Sequence, residues 1–224
     1  MKELTEELSR ARFFGKFPES DRAALAELAL PRQLHSGEYC CFQGDIWPNV
    51  IFLSQGKLDW SMLSVGGKEH VLFSLNQNDV FWGHSIFDDK PMPASLKVIE
   101  NSTIYRWERE AILPILNRHP ETLWEIAGML TGTMRVAREI IYGLAFQPVA
   151  GRLATLLLDR FSDPNDTSVE RDLTLGAIAS RVASSPEVVC RILHQFQKEG
   201  VLEVTRATIT LHDRFALEDM VEPE

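Results

Sequence analysis

Glu187 and Arg191 stand one helical turn apart in the stretch TLGAIASRVASSPEVVCRILHQFQKEG, residues 174–200. An arginine can bond guanine bidentately and a carboxylate can accept from the cytosine amino group, so this pair has the chemistry to read a G·C base pair. The same spacing also suits a surface ion pair along one helix, worth only roughly 0.2–0.5 kcal/mol. The elements that must position the two side chains bear on that choice. Leu175, Ile178, Ala179 and Val182 fall on one face of a short amphipathic segment, and Val188, Val189, Ile192, Leu193 and Phe196 recur at helical spacing in a second. Ser185 is a good N-cap, Pro186 suits the first helical position, and Glu187 sits at the positive end of the dipole. Two helices joined by so tight a polar turn can lay the second in the DNA major groove. The polar positions expected to face outward on it are Glu187, Cys190, Arg191, Gln195 and Lys198. The next residues, VLEVTRATITLHD from Val201 to Asp213, alternate like two short strands around Arg206-Ala207, which predicts a winged helix-turn-helix.

Composition bounds the rest. The chain has 224 residues, 45% of them hydrophobic, enough for a proper core and for two domains. No run approaches the ~20 apolar residues of a membrane span, and the opening MKELTEELSRARFF is charged and amphipathic rather than signal-like, so a soluble cytoplasmic protein without a membrane partner is expected. Cys40, Cys41 and Cys190 offer neither a disulfide framework nor metal-ligand spacing. The net charge of −9 gives a nucleic-acid binder no help, and residues 148–224 hold eight Arg/Lys against thirteen Asp/Glu. Basic groups would have to be focused on one face.

Upstream, an opening helical region (about residues 2–30) gives way to short alternating segments over 34–107, punctuated by Gly37, Gly44, Gly56 and Gly66-Gly67. Val50–Leu53, Lys57–Leu63, His70–Leu75 and Ser102–Trp107 read as strands of a small antiparallel barrel or jelly roll. From Glu110 to about Ala145 the pattern turns helical. Leu123, Ala127, Leu130, Met134, Ala137, Ile141 and Leu144 follow one another at spacings of 4, 3, 4, 3, 4 and 3, a seam for a parallel dimer. A second stripe, Ile126, Met129, Thr133, Val136 and Ile140, would face the barrel, and Phe146-Gln147-Pro148 would end the helix and act as a hinge. The fold class expected is α+β: an N-terminal antiparallel β-barrel or jelly roll with its helices (1–109), a long dimerisation helix and hinge (110–147), and a C-terminal winged helix-turn-helix (148–224).

In this order of elements the chain resembles the Crp/Fnr family of bacterial transcription regulators over nearly its whole length. The resemblance is carried by Ser36-Gly37-Glu38, Gln43-Gly44-Asp45, Gly56-Lys57, Leu144-Ala145-Phe146, Gly151-Arg152-Leu153-Ala154 and Ser185–Arg191. It implies a homodimer on double-stranded DNA, with Glu187 and Arg191 at a G·C pair of each half-site. The half-sites would be related to TTGAT or TGTGA, with centres roughly 34–36 Å apart. Catabolite activators carry an Arg just before that Glu; Pro186 stands there, so one outer guanine contact should be missing. Thr174, Ser185 and Arg206 are candidates for phosphate contacts, and Val188 and Cys190 complete the expected DNA-binding set. Contact with RNA polymerase is implied by the resemblance alone, and activator and repressor roles are equally open.

The resemblance also implies an effector site, and here the residues depart from the cAMP-binding pattern. Relatives that bind cAMP use a Gly-Glu pair for the ribose and an Arg-Ser pair for the cyclic phosphate. Trp82-Gly83 (or, shifted by one, Gly83-His84) and Pro93-Ala94 occupy those places, so the carboxylate and the guanidinium are both missing. An unpaired buried phosphate is expensive, so cAMP is not the expected ligand. An apolar pocket for an unknown small molecule, made by Phe73, Phe81, Trp82, Gly83, His84, Met92, Pro93, Ala94, Ser95 and Leu96 with Ala137, Arg138 and Ile141 of the long helix, is one expectation. A barrel filled by its own side chains is the other. No cofactor is expected: three thiols, none near the amino terminus, do not make an iron–sulfur sensor. Haem would have to use His84 or His70, and Cys190 would be the site of any oxidation switch. A metal-dependent barrel enzyme lacks its cluster of histidines, and a purely regulatory binding subunit would leave the winged helix without a purpose.

Overall fold

The computed structural model describes residues 2–161, 163 and 166–221; Met1 and residues 222–224 of the expected domain ranges lie outside the described residues. The chain forms two compact units, one of residues 1–67 with 71–134 and one of 68–70 with 135–224. It is an α+β protein with an N-terminal antiparallel sheet, a long helix and a C-terminal helix-turn-helix region.

The first unit opens with α1 (Lys2–Arg10), a 3-10 turn (Phe14–Lys16) and α2 (Glu19–Leu28). There follow β1 (Leu30–Leu34), β2 (Tyr39–Cys41), β3 (Asn49–Leu63), β4 (Glu69–Leu75), β5 (Val80–Trp82), the short α3 (Ser85–Asp88), β6 (Ser95–Glu108), α4 (Arg109–Leu116) and α5 (Thr122–Phe146). The six strands run in the order β1-β6-β3-β4, with β2 also on β6 and β5 on β3. The two long strands each change partner along their length, which rolls the sheet. Its inner face closes on Ile51, Leu53, Leu58, Trp60, Phe81, Met92, Leu96 and Val98. Its outer face takes Phe52, Trp82 and Trp107 under Leu4, Leu8, Phe13, Phe14 and Leu25 of the N-terminal helices. The Trp107 indole donates to the carbonyl of Leu25 at 2.8 Å, pinning α2 to β6.

Two departures from the sequence reading have clear causes. Gly56, read as a turn between strands, lies inside the continuous β3, where the register against β6 shifts around it. Its φ is +99°, and a Cβ there would fall 2.2 Å from Ser102 Oγ, so the position is a bulge that lets the chains approach. The helix expected from Glu110 onward is instead α4 and α5, separated at 117–121. Pro120 cannot donate a backbone hydrogen bond and biases His119 away from helical backbone.

The second unit contains the end of α5, then α6 (Val149–Arg160), β7 (Ser168–Glu170), α7 (Leu175–Arg181), α8 (Pro186–Lys198), β8 (Leu202–Val204), β9 (Thr208–Leu211) and α9 (Arg214–Asp219). The antiparallel order β7-β9-β8 adds a third strand to the expected pair. Its core joins Leu153, Leu157 and Phe161 of α6 to Ile178, Val189, Leu193, Phe196, Leu202 and Ile209. No helix among the described residues is long and apolar enough to cross a membrane.

Candidate DNA-binding face

The turn between α7 and α8 is built from local caps. Thr174 Oγ1 accepts from the Ala177 N–H at 3.1 Å and starts α7. Ala183 adopts φ +48°, a left-handed residue that reverses the chain, and the Ser184 N–H closes back on Ala179 O at 2.9 Å. Ser185 Oγ then accepts from the Val188 N–H, and Pro186 begins α8 with no backbone donor to leave unsatisfied. With Val189, Ile192, Leu193 and Phe196 turned into the core, the opposite face of α8 carries Glu187, Cys190, Arg191, His194, Gln195 and Lys198 along one solvent-facing strip. Val188, expected on this face, instead packs half-buried against the core, because its position lies beside the apolar stripe.

Glu187 and Arg191 both point to solvent, and no ion pair joins them among the described residues. The Ser185 hydroxyl and its own backbone N–H hydrogen-bond the Glu187 carboxyl and hold its pKa below the ordinary glutamate value. The carboxylate is therefore an ionised acceptor fixed at the helix start. Among the described residues no partner takes the Arg191 guanidinium, which carries five N–H donors. Thr174 uses an oxygen lone pair in its cap and keeps its proton to donate. Arg206 lies exposed at the tip of the β8–β9 hairpin, where Thr205 Oγ1 accepts from Ala207 and Thr208 N–H groups at 3.2 and 2.9 Å. Arg171 braces that tip by donating to Thr205 O at 3.0 Å.

A second brace involves residues that the sequence offered only as a motif. Arg152 Nε donates to Val182 O at 3.0 Å, at the end of α7, and Arg152 Nη1 donates to Gln147 O at 2.8 Å. Gln147 Nε2 in turn donates to Val221 O at 2.9 Å. Gly151 is obligatory because a Cβ would meet Met220 O at 2.6 Å. His194 on α8 and Arg152 were both missed as functional positions. Periodicity alone flags the first as outward-facing; nothing in the sequence reveals the second, whose partners are distant carbonyls.

The sheet residues expected to line an effector pocket do not face one common space. Phe81, Met92 and Leu96 are inner core and Phe73 packs against them, whereas Trp82 points to the outer face, 5.2 Å from the Phe13 ring. Strand residues alternate between faces, so neighbours Phe81 and Trp82 cannot share a pocket. Gly83 is closed in: a Cβ would lie 2.6 Å from Trp47 O and 2.8 Å from Asn49 O. His84 stacks flat on Trp60 with centroids 5.7 Å apart, and burial lowers its pKa from the ordinary histidine value. Pro93 is exposed, and Ala94 is buried. Ser95 is buried and accepts from the Gln43 N–H at 2.9 Å. Ala137, Arg138 and Ile141 are exposed on α5, where Arg138 pairs with its neighbour Glu139 at 2.5 Å. Burial pushes the Cys40 and Cys41 thiols up to about 12, while Cys190 is exposed. Among the described residues no three His, Cys, Asp or Glu side chains gather as a metal group.

On α5 the expected seam lies open. Met134 is 73% exposed, Ile141 66%, Leu123 56% and Leu144 45%; Ala127 and Ala137 are exposed too, and Leu130 is half-buried. In the stripe expected to face the barrel, Ile126 is buried and Met129 half-buried against the outer-face core. Val136, further along, is exposed. Trp124, 82% exposed beside Leu123, was not anticipated.

Comparison with known proteins agrees with this architecture. A family model described as a cyclic nucleotide-binding domain matches residues 31–119, and one described as a Crp-like helix-turn-helix domain matches residues 151–220. The chain is 27% identical over 210 residues to the cyclic AMP receptor protein of Thermus thermophilus, covering 93% of this chain and 95% of that one. It is 26% identical over 215 residues to the CRP-like cAMP-activated global transcriptional regulator of Mycobacterium tuberculosis, covering 94% and 96%. The c-di-GMP responsive global regulator CLP of Xanthomonas campestris shares the fold, with a TM-score of 0.77 at 16% identity over 87% of this chain and 99% of that one. The two family models together account for most of the chain, which belongs to the Crp/Fnr family of DNA-binding transcription regulators.

Proposed function

We propose that the protein acts as a homodimer on a two-fold symmetric operator and reads one G·C pair per half-site with Glu187 and Arg191. The observation that carries this reading is the solvent-facing polar strip of α8, on which an ionised carboxylate and a guanidinium without an ion partner among the described residues stand one turn apart. Thr174 and Arg206 position the protein on phosphates, which orient without specifying. Ser185, at the same helix start, serves chiefly to cap α8 and hold Glu187. Cys190 lies between the two reading residues, within reach of a base edge. The exposed seam Leu123, Met134, Ile141 and Leu144 supports pairing through α5, since so long an apolar stripe is stable in water only when covered. RNA polymerase is the further partner that the family suggests.

The signal is a molecule other than cAMP, or none. Trp82-Gly83 and Pro93-Ala94 supply neither a carboxylate for a ribose nor a guanidinium for a phosphate, and the tight packing around Gly83 and Met92 favours a barrel filled by its own side chains. Calorimetry with cAMP should show no binding heat. Selection of bound duplexes from a random pool should return inverted half-sites with a fixed G·C pair. Arg191→Ala should cost about 1–3 kcal/mol on the selected duplex and relax preference at that pair. A variant that kept full preference would refute the assignment.

A further inference from the structure

We propose that His194 is a further DNA-contacting residue and that its protonation makes operator affinity depend on pH around neutrality. The inference rests on the reading of α8 as the DNA face and adds a mode of regulation to it. His194 is exposed on the same strip of α8 as Glu187, Cys190 and Arg191. It follows Arg191 by three residues, about 4.5 Å along the axis and on the same face. A helix laid in the groove so that its first turns reach base edges carries its next turn past the phosphate walls.

The charge balance makes one proton matter. The strip itself holds one carboxylate, Glu187, against two fixed cations, Arg191 and Lys198. The whole chain carries a net charge of −9, so duplex affinity depends on a few focused cations. A charged His194 raises the net charge of the strip from one to two. Histidine is the side chain that makes this change between pH 5 and 8, and adjacent phosphates favour its charged form.

The other charged groups near α8 are engaged elsewhere or lie off the strip. On α7, Arg181 donates to Ala177 O. On α6, Arg152 bonds Val182 O and Arg160 pairs with Asp172, and Asp159 also belongs to that helix. On β8, Glu203 lies 3.9 Å from His212, and Glu199, just past α8, accepts from Gln195 at 3.0 Å. His212 is a second histidine of this unit, so the test isolates His194 by substitution.

The experiment is fluorescence anisotropy of the full chain with a labelled duplex obtained by selection, at several salt concentrations between pH 5.5 and 8.5. The wild type should bind several-fold tighter at the acid end. Its slope of log K against log salt should steepen there by about 0.9 for each charged histidine, or nearly two for a dimer. His194→Gln should keep its fold, lose most of that pH dependence and hold the shallow slope throughout. His194→Lys should bind tightly with the steep slope at both ends. A His194→Gln variant with an unchanged pH profile and slope overturns the inference and leaves the DNA-face reading standing. A wild type that binds no duplex at any pH, with Arg191→Ala indistinguishable from it, removes both.

Discussion

The recognition helix and the rolled sheet use apolar residues in opposite ways. On α8 the core takes one stripe and leaves a complete face of Glu187, Cys190, Arg191 and His194 to solvent. On β3 and β5 both faces are covered, Trp60 and Phe81 inward and Phe52 and Trp82 outward, so almost no side chain is free to meet a ligand. An element buried on one side advertises its function in its pattern. An element buried on both sides advertises only its packing.

The comparison can be broken first at the dimer seam, where the largest effect is expected. Met134→Arg with Ile141→Arg places two cations on the exposed stripe and should yield monomers by sedimentation. Operator affinity should fall by about 10²–10⁴-fold as bivalency is lost, with the fold intact by circular dichroism. A dimer that survived both changes would remove α5 as the interface. Second, Gly83→Ala probes the closed sheet. The added methyl meets two backbone oxygens within 3 Å and should destabilise by about 1–3 kcal/mol in urea unfolding. Cys190→Ser, on the open face, should change stability by less than about 0.5 kcal/mol. Equal costs at the two positions would erase the contrast between the regions.

The smallest effect concerns the cluster at the start of α5. His119 bonds Asp21 of α2 and, at 3.2 Å, Glu121, while Arg118 pairs with Asp21 at 2.5 Å. The Asp21 hydrogen bond, foremost, raises His119 above its ordinary value of 6.5; His119 and then Arg118 hold Asp21 below 3.8. The histidine's contribution is complete below its unfolded value and fades as pH rises through the raised one. The aspartate's is complete above its unfolded value and fades as pH falls through the lowered one. The stability lost in His119→Gln, about 1 kcal/mol or less, should therefore peak between about pH 4 and 6.5 and vanish toward pH 9. A pH-independent difference would mean the ring acts only through its packing on Phe17.

Legibility followed the same division. The helix pair, the wing and the Glu187/Arg191 spacing could be read from the chain because periodicity, an N-cap and Pro186 are local signals. The stripe on α5 was legible as a heptad pattern, and Leu123, Met134, Ile141 and Leu144 of it are exposed. The interruption at 117–121 was overlooked because the apolar pattern resumes in phase across Pro120. The short strands β1, β2, β5 and β7 escaped notice, being three to five residues long. Grouping Phe81 with Trp82 failed for lack of a rule that says which face of a doubly covered strand is which.

Arg152 ties two helix ends of the second unit to one side chain. One guanidinium holds the Gln147 carbonyl just past α5 and the Val182 carbonyl just past α7, so Arg152→Ala removes both bonds at once and is expected to raise hydrogen exchange around Phe146-Gln147-Pro148 and at the end of α7 together.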